Sequence, residues 1–170
     1  MEKKGYVWRL ALTAVCMALI ITATLIQIPA GRGYIHLGDA LLYASSWMLG
    51  GGLGTVAGGL GSALADLLSG FTLYAPATLV IKGLMGLVTG LVFQRRQRAG
   101  WQGLLATAAA SLWMVAGYFA YEWLIYGWAA ALAGLPWNAL QAAAGVVLAQ
   151  PLLLCGERVS FLQNMRNIRR

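Results

Sequence analysis

Six side chains able to hold a polar ligand sit where side chains of their kind are costly: Asp39, Asp66, Lys82, Glu122, Asn138 and Gln141. They lie in or beside apolar runs that read as bilayer spans, and a charge in hydrocarbon costs about 2.5–3.5 kcal/mol on insertion scales. That cost is tolerated where the groups face one another, a cavity or a ligand. Carboxylates accept hydrogen bonds, a lysine donates them and amides do both, so the set suits recognition of a solute. It does not suit bond-making. There is no GxSxG elbow, HExxH pair, second histidine or acid paired with a nucleophile, and the glycine-rich stretch at 50–61 lacks the lysine of a phosphate loop. The expectation is a binding protein, with no catalytic residue, and not an enzyme. Cys16 and Cys155 form no CxxC or Cys/His cluster for zinc, so no metal site is expected and both read as small buried apolar side chains.

The elements that must position these residues are membrane helices. A 170-residue chain that is 60% hydrophobic and 10% charged, with a mean hydropathy of +0.71, reads as one integral membrane domain spanning residues 1–170. Its net charge of +7 comes from clusters flanking apolar segments: Lys3, Lys4 and Arg9; Arg95, Arg96 and Arg98; Arg158, Arg166, Arg169 and Arg170. Charge so placed fixes topology, which excludes a nucleic-acid partner.

Gly, Pro and charge divide the chain into six helical segments, at about Trp8–Ile28, Gly38–Leu49, Leu53–Leu68, Pro76–Phe93, Gly103–Tyr126 and from Pro136 to near Cys155. The first is long enough to span and lacks a signal-peptide cleavage site. The second and third fall short of the roughly 20 residues of a perpendicular span, and Gly50-Gly51-Gly52 between them breaks any merged helix. The fold class expected is an all-α six-helix transmembrane bundle with both termini cytoplasmic. That parity places all three basic clusters inside and leaves only Arg32 in an outer connection. Gly50, Gly54, Gly58 and Ser62, with Gly86 and Gly90, recur every four residues as a stripe for close helix packing.

Depth follows from this topology. Asp39 opens the second segment from outside, and Asp66 closes the third. Lys82 lies about two turns into the fourth, while Glu122 lies about one turn from the outer end of the fifth, with Tyr118 a turn deeper. Asn138 and Gln141 share a face of the sixth. Tyr34, Tyr43, Tyr74, Trp123, Tyr126, Trp128 and Trp137 gather at the same level. The picture is an outward-opening cavity lined by planar rings and a few hydrogen-bonding groups, suited to a small aromatic or heterocyclic solute. Blander roles stand beside it: Trp128 and Trp137 as interfacial belt, Asp39 as an N-cap, Asp66 and Lys82 as an ion pair, His36 solvated in an outer loop.

The runs Gly33-Tyr34-Ile35-His36-Leu37-Gly38-Asp39-Ala40, Gly61-Ser62-Ala63-Leu64-Ala65-Asp66-Leu67-Leu68-Ser69-Gly70, Tyr74-Ala75-Pro76-Ala77-Thr78 and Ile81-Lys82-Gly83 resemble the S components of energy-coupling factor (ECF) vitamin transporters, closest to the riboflavin-type group. Gly117-Tyr118-Phe119 with Glu122 and Asn138-Ala139-Leu140-Gln141 extend the likeness over nearly the whole chain. The resemblance implies a high-affinity receptor in a prokaryotic plasma membrane. Its partners would be a vitamin-like ligand, the lipid bilayer, a membrane coupling T component and two ABC ATPases. ATP is used by those partners, and no cofactor is bound by this chain. The family's AxxxA docking signature falls on Ala14 and Ala18, with Ala11 near the same face. Pyridoxine, hydroxymethylpyrimidine or another small heterocycle, riboflavin and queuosine-type precursors all stay open as ligands. The substrate-binding residues expected are Asp39, Tyr74, Lys82, Tyr118, Glu122, Asn138 and Gln141. Two rival functions are a self-sufficient secondary carrier or channel, and a structural subunit without a ligand.

Overall fold

The computed structural model describes residues 2–30, 33–95 and 100–167. In chain order these form α1 (Glu2–Leu25), β1 (Gln27–Ala30), β2 (Gly33–His36), α2 (Gly38–Leu49), α3 (Gly51–Leu68), α4 (Ala75–Arg95), α5 (Gly100–Tyr126), α6 (Trp128–Arg158) and α7 (Ser160–Asn167). Polarity runs opposite to that of a soluble domain. Large apolar side chains face outward, with Leu68, Leu112 and Leu124 69%, 71% and 81% exposed, while Asp39, Ser46, Lys82, Thr89 and Thr107 are no more than 2% exposed. An interior that holds small and polar residues beside large ones such as Tyr43, Trp47 and Phe93, under an apolar surface, is the arrangement of helices whose solvent is lipid. Among the described residues, four helices are long and apolar enough to cross a bilayer: Gly5–Leu25, Ala75–Arg95, Gly100–Tyr126 and Trp128–Arg158. The fold is thus a nearly all-helical membrane bundle.

Helix α2 occupies the interior, packed against α1, α3, α4 and α6. It has the bounds expected from its flanking glycines. Gly50, at φ +81°, ends it and starts α3 with no intervening loop, a conformation that costs a glycine little. Helices α3 and α4 pack backbone to backbone along the four-residue stripe. A Cβ at Gly86 would lie 2.3 Å from the Gly54 carbonyl oxygen, and one at Gly90 would lie 2.5 Å from the Gly50 carbonyl carbon.

Four features depart from the sequence reading. Helix α1 stops at Leu25, and the chain turns back as an antiparallel hairpin pairing Gln27 with His36 and Ile28 with Ile35. Pro29 favours this because it biases Ile28 toward extended backbone and cannot continue a helix. Helix α6 begins at Trp128, where Gly127 at φ +87° makes the break, and runs through both Pro136 and Pro151; membrane helices absorb the lost hydrogen bonds through their neighbours. A further helix, α7, follows the long bundle helices. Its Arg166 donates to the Phe93 carbonyl at 2.9 Å near the end of α4 and lies 4.7 Å over the Trp47 ring. Cys16 is buried as expected, but Cys155 is exposed on an outward face of α6. Arg32, Arg96, Arg98, Arg169 and Arg170 of the charge pattern lie outside the described residues, as does the side chain of Tyr34.

Candidate functional site

A cavity opens at the end of the bundle that carries the hairpin, where α1, α3 and α5 end and α4 and α6 begin. Its lining comes from five helices and both nearby connections. Thr24 of α1, His36 of β2, Ser62 and Asp66 of α3, Phe71 and Tyr74 of the turn before α4, and Thr78 and Lys82 of α4 form one side. Met114, Tyr118 and Glu122 of α5, with Asn138 and Gln141 of α6, form the other. The volume is about 80 Å³, on a measure where about 10–15 Å³ admits one water. That is space for several waters, or for one small ring with its substituents.

Helical periodicity explains which residues reach it. Ser62 and Asp66 are four apart, as are Thr78 and Lys82, and Met114, Tyr118 and Glu122 follow the same step. Residues four apart lie above one another on a single face. Each helix therefore points one polar stripe inward and leaves its leucines to the outside.

Lys82 is the centre of the deep wall. Its ammonium forms a buried ion pair with Asp39 Oδ1 and donates to Met114 Sδ at 2.8 Å. It also lies 5.7 Å from the centroid of the Tyr118 ring, within cation–π range. The second Asp39 oxygen accepts from Gln141 Nε2 at 2.9 Å. The same Gln141 amide donates to the His36 carbonyl at 3.0 Å and accepts the His36 N–H at 2.9 Å, the pairing a neighbouring strand would make. These partners fix which end of the amide is oxygen. One connected set of bonds thus runs from the cavity wall through Asp39 to the hairpin backbone.

The mouth is ringed by hydroxyls and aromatic faces. Tyr74 OH donates to Glu122 Oε1 at 3.5 Å, and Thr78 Oγ1 and Tyr118 OH lie 2.9 Å apart. The Tyr74 ring meets Tyr121 edge-on at 5.7 Å and Phe71 at 6.4 Å, and Tyr121 OH donates to the Leu73 carbonyl. Gln27 Nε2 donates to Ser69 Oγ at 2.6 Å, tying the hairpin to the end of α3. Two residues of the lining carry a polar atom, Thr24 Oγ1 and Asn138 Nδ2, that is buried with no hydrogen-bond partner among the described residues. Buried polar atoms of this kind call for a ligand or water.

His36 sits outside the helices but is half-buried rather than solvated. Its Nδ1 accepts the Gly38 N–H at 3.0 Å. Its pKa is pushed down to about 4, first by burial, which outweighs the opposing pull of Asp39, and further by the charge of Lys82. The imidazole is therefore neutral near pH 7.

Of the residues expected from sequence, Tyr74, Lys82, Tyr118, Glu122, Asn138 and Gln141 come together around the cavity. Asp39 stands behind Lys82, 1% exposed, and does not reach the lining. It is not an N-cap either: Leu37 holds that position without a side-chain bond. The ion pair joins Lys82 to Asp39 and not to Asp66, because α2 runs through the interior beside α4. Trp123, Trp128 and Trp137 are 43–53% exposed, outside the lining, and Tyr43 is buried below it, with its hydroxyl 2.6 Å from Ser111 Oγ. Thr24, Ser62, Phe71, Thr78 and Met114 were not anticipated. For Ser62, Thr78 and Met114 the signal was present, since each lies one turn from a residue already singled out.

Comparison with known proteins agrees with this architecture. The profile of the S component of ECF-type riboflavin transporters matches residues 6–157. The chain is 36% identical over 140 residues to the thiamine precursor transporter HmpT of Lactococcus lactis subsp. cremoris, covering 82% of this chain and 80% of that protein. It is 35% identical over 133 residues to an uncharacterized protein of Pyrococcus woesei, covering 77% and 88% respectively. The helical membrane bundle, the cavity and these relatives lead to one conclusion: the chain belongs to the S-component family of ECF-type riboflavin transporters, as a multi-pass transport protein of the prokaryotic plasma membrane serving vitamin uptake and not an enzyme.

Proposed function

We propose that the chain is the high-affinity substrate-binding subunit of an ECF-type ABC importer for a vitamin or precursor with a single small ring, of the hydroxymethylpyrimidine or pyridoxine type. The observation that carries this reading is the cavity: about 80 Å³, with aromatic faces of Phe71, Tyr74 and Tyr118 and hydrogen-bonding groups from five helices. The small enclosed space favours a single ring over the fused three-ring system and ribityl chain of riboflavin. The name of the Lactococcus lactis relative, a thiamine precursor transporter, points the same way. Tyr74, Lys82, Tyr118, Glu122, Asn138 and Gln141 are the proposed contacts, and Asp39 acts through Lys82.

In this reading the chain crosses the membrane six times, α2 and α3 serving as short crossings, with both termini cytoplasmic and the cavity facing out. The basic flanks support it. A T component and two ABC ATPases are the partners; they use the ATP, and this chain carries no cofactor. Ala11, Ala14 and Ala18 form an exposed small-residue face on α1, opposite the buried face of Thr13, Cys16 and Ile20. Such a face lets a partner helix approach closely.

Thermal-shift screening of the detergent-solubilised protein against B vitamins and their precursors tests the reading. Stabilisation by a single-ring compound is expected. Failure of every compound would favour a structural subunit, and solute accumulation in liposomes holding this chain alone would favour a secondary carrier.

A further inference from the structure

Helix α6 begins at Trp128, about two turns before Pro136, and those first turns stand against the outer end of α5. The Trp128 ring meets Phe119 and Trp123 edge-on, each at 5.4 Å. Gly134 lies in this stretch. A Cβ there would overlap Glu122 Oε2, and it would lie 3.1 Å from Glu122 Cδ and 3.2 Å from Oε1. The carboxylate thus occupies the space that a side chain at position 134 would take. Its other oxygen accepts from Tyr74 OH at 3.5 Å, so the group is held between the α6 backbone and that hydroxyl.

Gly134, Asn138, Gln141 and Gly145 follow one another at steps of four, three and four, which puts them on one face of α6. Asn138 and Gln141 line the cavity. A Cβ at Gly145 would lie 2.8 Å from Asp39 Cβ. The same face therefore meets two acids at positions that lack side chains, but the two obstacles differ. At Gly145 it is an atom fixed to the α2 backbone. At Gly134 it is the far end of a long side chain, so an added methyl has only to move the carboxylate and not a helix.

We infer that Gly134 is a positioning residue of the binding site: its missing side chain is the slot that sets where Glu122 presents its carboxylate. This rests on the binding function proposed above, with Glu122 as a ligand contact, and adds what aims that contact. A methyl in the slot drives the carboxylate aside. Hydrogen bonds weaken steeply with distance and angle, so the bond to the ligand is lost although the charge remains. The helix itself does not suffer, because alanine is favoured over glycine in a helix interior.

Calorimetric titration in detergent with hydroxymethylpyrimidine and pyridoxine tests the inference. For whichever compound the wild-type chain binds, Gly134→Ala is expected to weaken affinity at least about tenfold. In a Glu122→Ala background the methyl has nothing to displace, so Gly134→Ala/Glu122→Ala is expected to bind within about twofold of Glu122→Ala alone. Without ligand, Gly134→Ala is expected to melt no lower than wild type, whereas Gly145→Ala melts lower. Unchanged affinity in Gly134→Ala overturns the inference and leaves the binding function standing. A second full loss on top of Glu122→Ala, or a melting temperature lowered as much as in Gly145→Ala, also overturns it, because the methyl would then act through helix packing. Binding of neither compound by the wild-type chain refutes the proposed function, and the inference with it.

Discussion

Removing the carboxylate of Asp39 while Lys82 remains would strand an ammonium among apolar helices. Breaking a buried pair from one side costs about 3–5 kcal/mol, whereas replacing both partners by apolar groups is often neutral. Asp39→Asn should therefore lower the unfolding temperature in detergent markedly, and the double variant Asp39→Asn/Lys82→Met should recover most of the loss. If the double variant is no more stable than the single one, the pair does not hold the deep wall together. Glu122 faces the cavity from the opposite side. A hydrogen bond to a charged group is worth about 1.5–3 kcal/mol, so Glu122→Ala should weaken ligand binding roughly 10- to 100-fold. Unchanged affinity in calorimetry would remove Glu122 from the site.

The hairpin is the element whose stability is borrowed from elsewhere. An isolated two-stranded sheet is marginal in water, and this one is held by Gln141 on β2 and by the Gln27–Ser69 bond. Gln141→Leu should abolish hydrogen-exchange protection of the His36 amide while leaving amides in the middle of α4 protected. Acid should act on the same element. His36 has a folded pKa of about 4 against an ordinary 6.5, so between those values the unfolded chain binds more protons than the folded one. The contribution of His36 is full above pH 6.5 and is lost progressively as pH falls toward 4. The drop in melting temperature between pH 7 and pH 5 should shrink in His36→Gln, and an unchanged drop would assign the acid sensitivity to other groups. At the α3–α4 contact, Gly86→Ala drives a methyl into the Gly54 backbone. Overpacking of that kind costs about 1–3 kcal/mol, measurable as a lower melting temperature with ligand selectivity unaltered.

At the scale of the whole molecule, cavity and proposed docking face are separate. The cavity lies at the hairpin end of the bundle, and Ala14 and Ala18 lie on the outer side of α1. Ala14→Trp and Ala18→Trp should therefore keep ligand affinity while abolishing co-purification with a T component and ATP-driven uptake in liposomes. Loss of ligand binding in these variants would mean that α1 shapes the cavity itself. The far end of the bundle is closed by α7, whose Arg166 meets a carbonyl near the C-terminus of α4 and the Trp47 ring. A cation is well placed beside the exposed carbonyls of a helix end.

What sequence alone determined was the class of solvent and the places where helices break. Apolar runs of fixed length, basic flanks and glycines such as Gly38 and Gly50 act locally, so the bounds of α2 were legible without any partner in view. The depth of Glu122 and Lys82 along their helices was legible too, because rise per residue converts position into height; Asn138, read in the first turns of a segment opened by Pro136, lies about three turns into a helix that begins at Trp128. What only the tertiary structure decided was rotation and neighbour. Whether Lys82 meets Asp39 or Asp66 depends on which helix runs through the interior, and the intervening packing is set by contacts far apart in the chain. The hairpin was hidden for the same reason: Gln27–His36 carries no pattern strong enough to fold alone, and the amide that pairs with its second strand, Gln141, comes from a helix more than a hundred residues later.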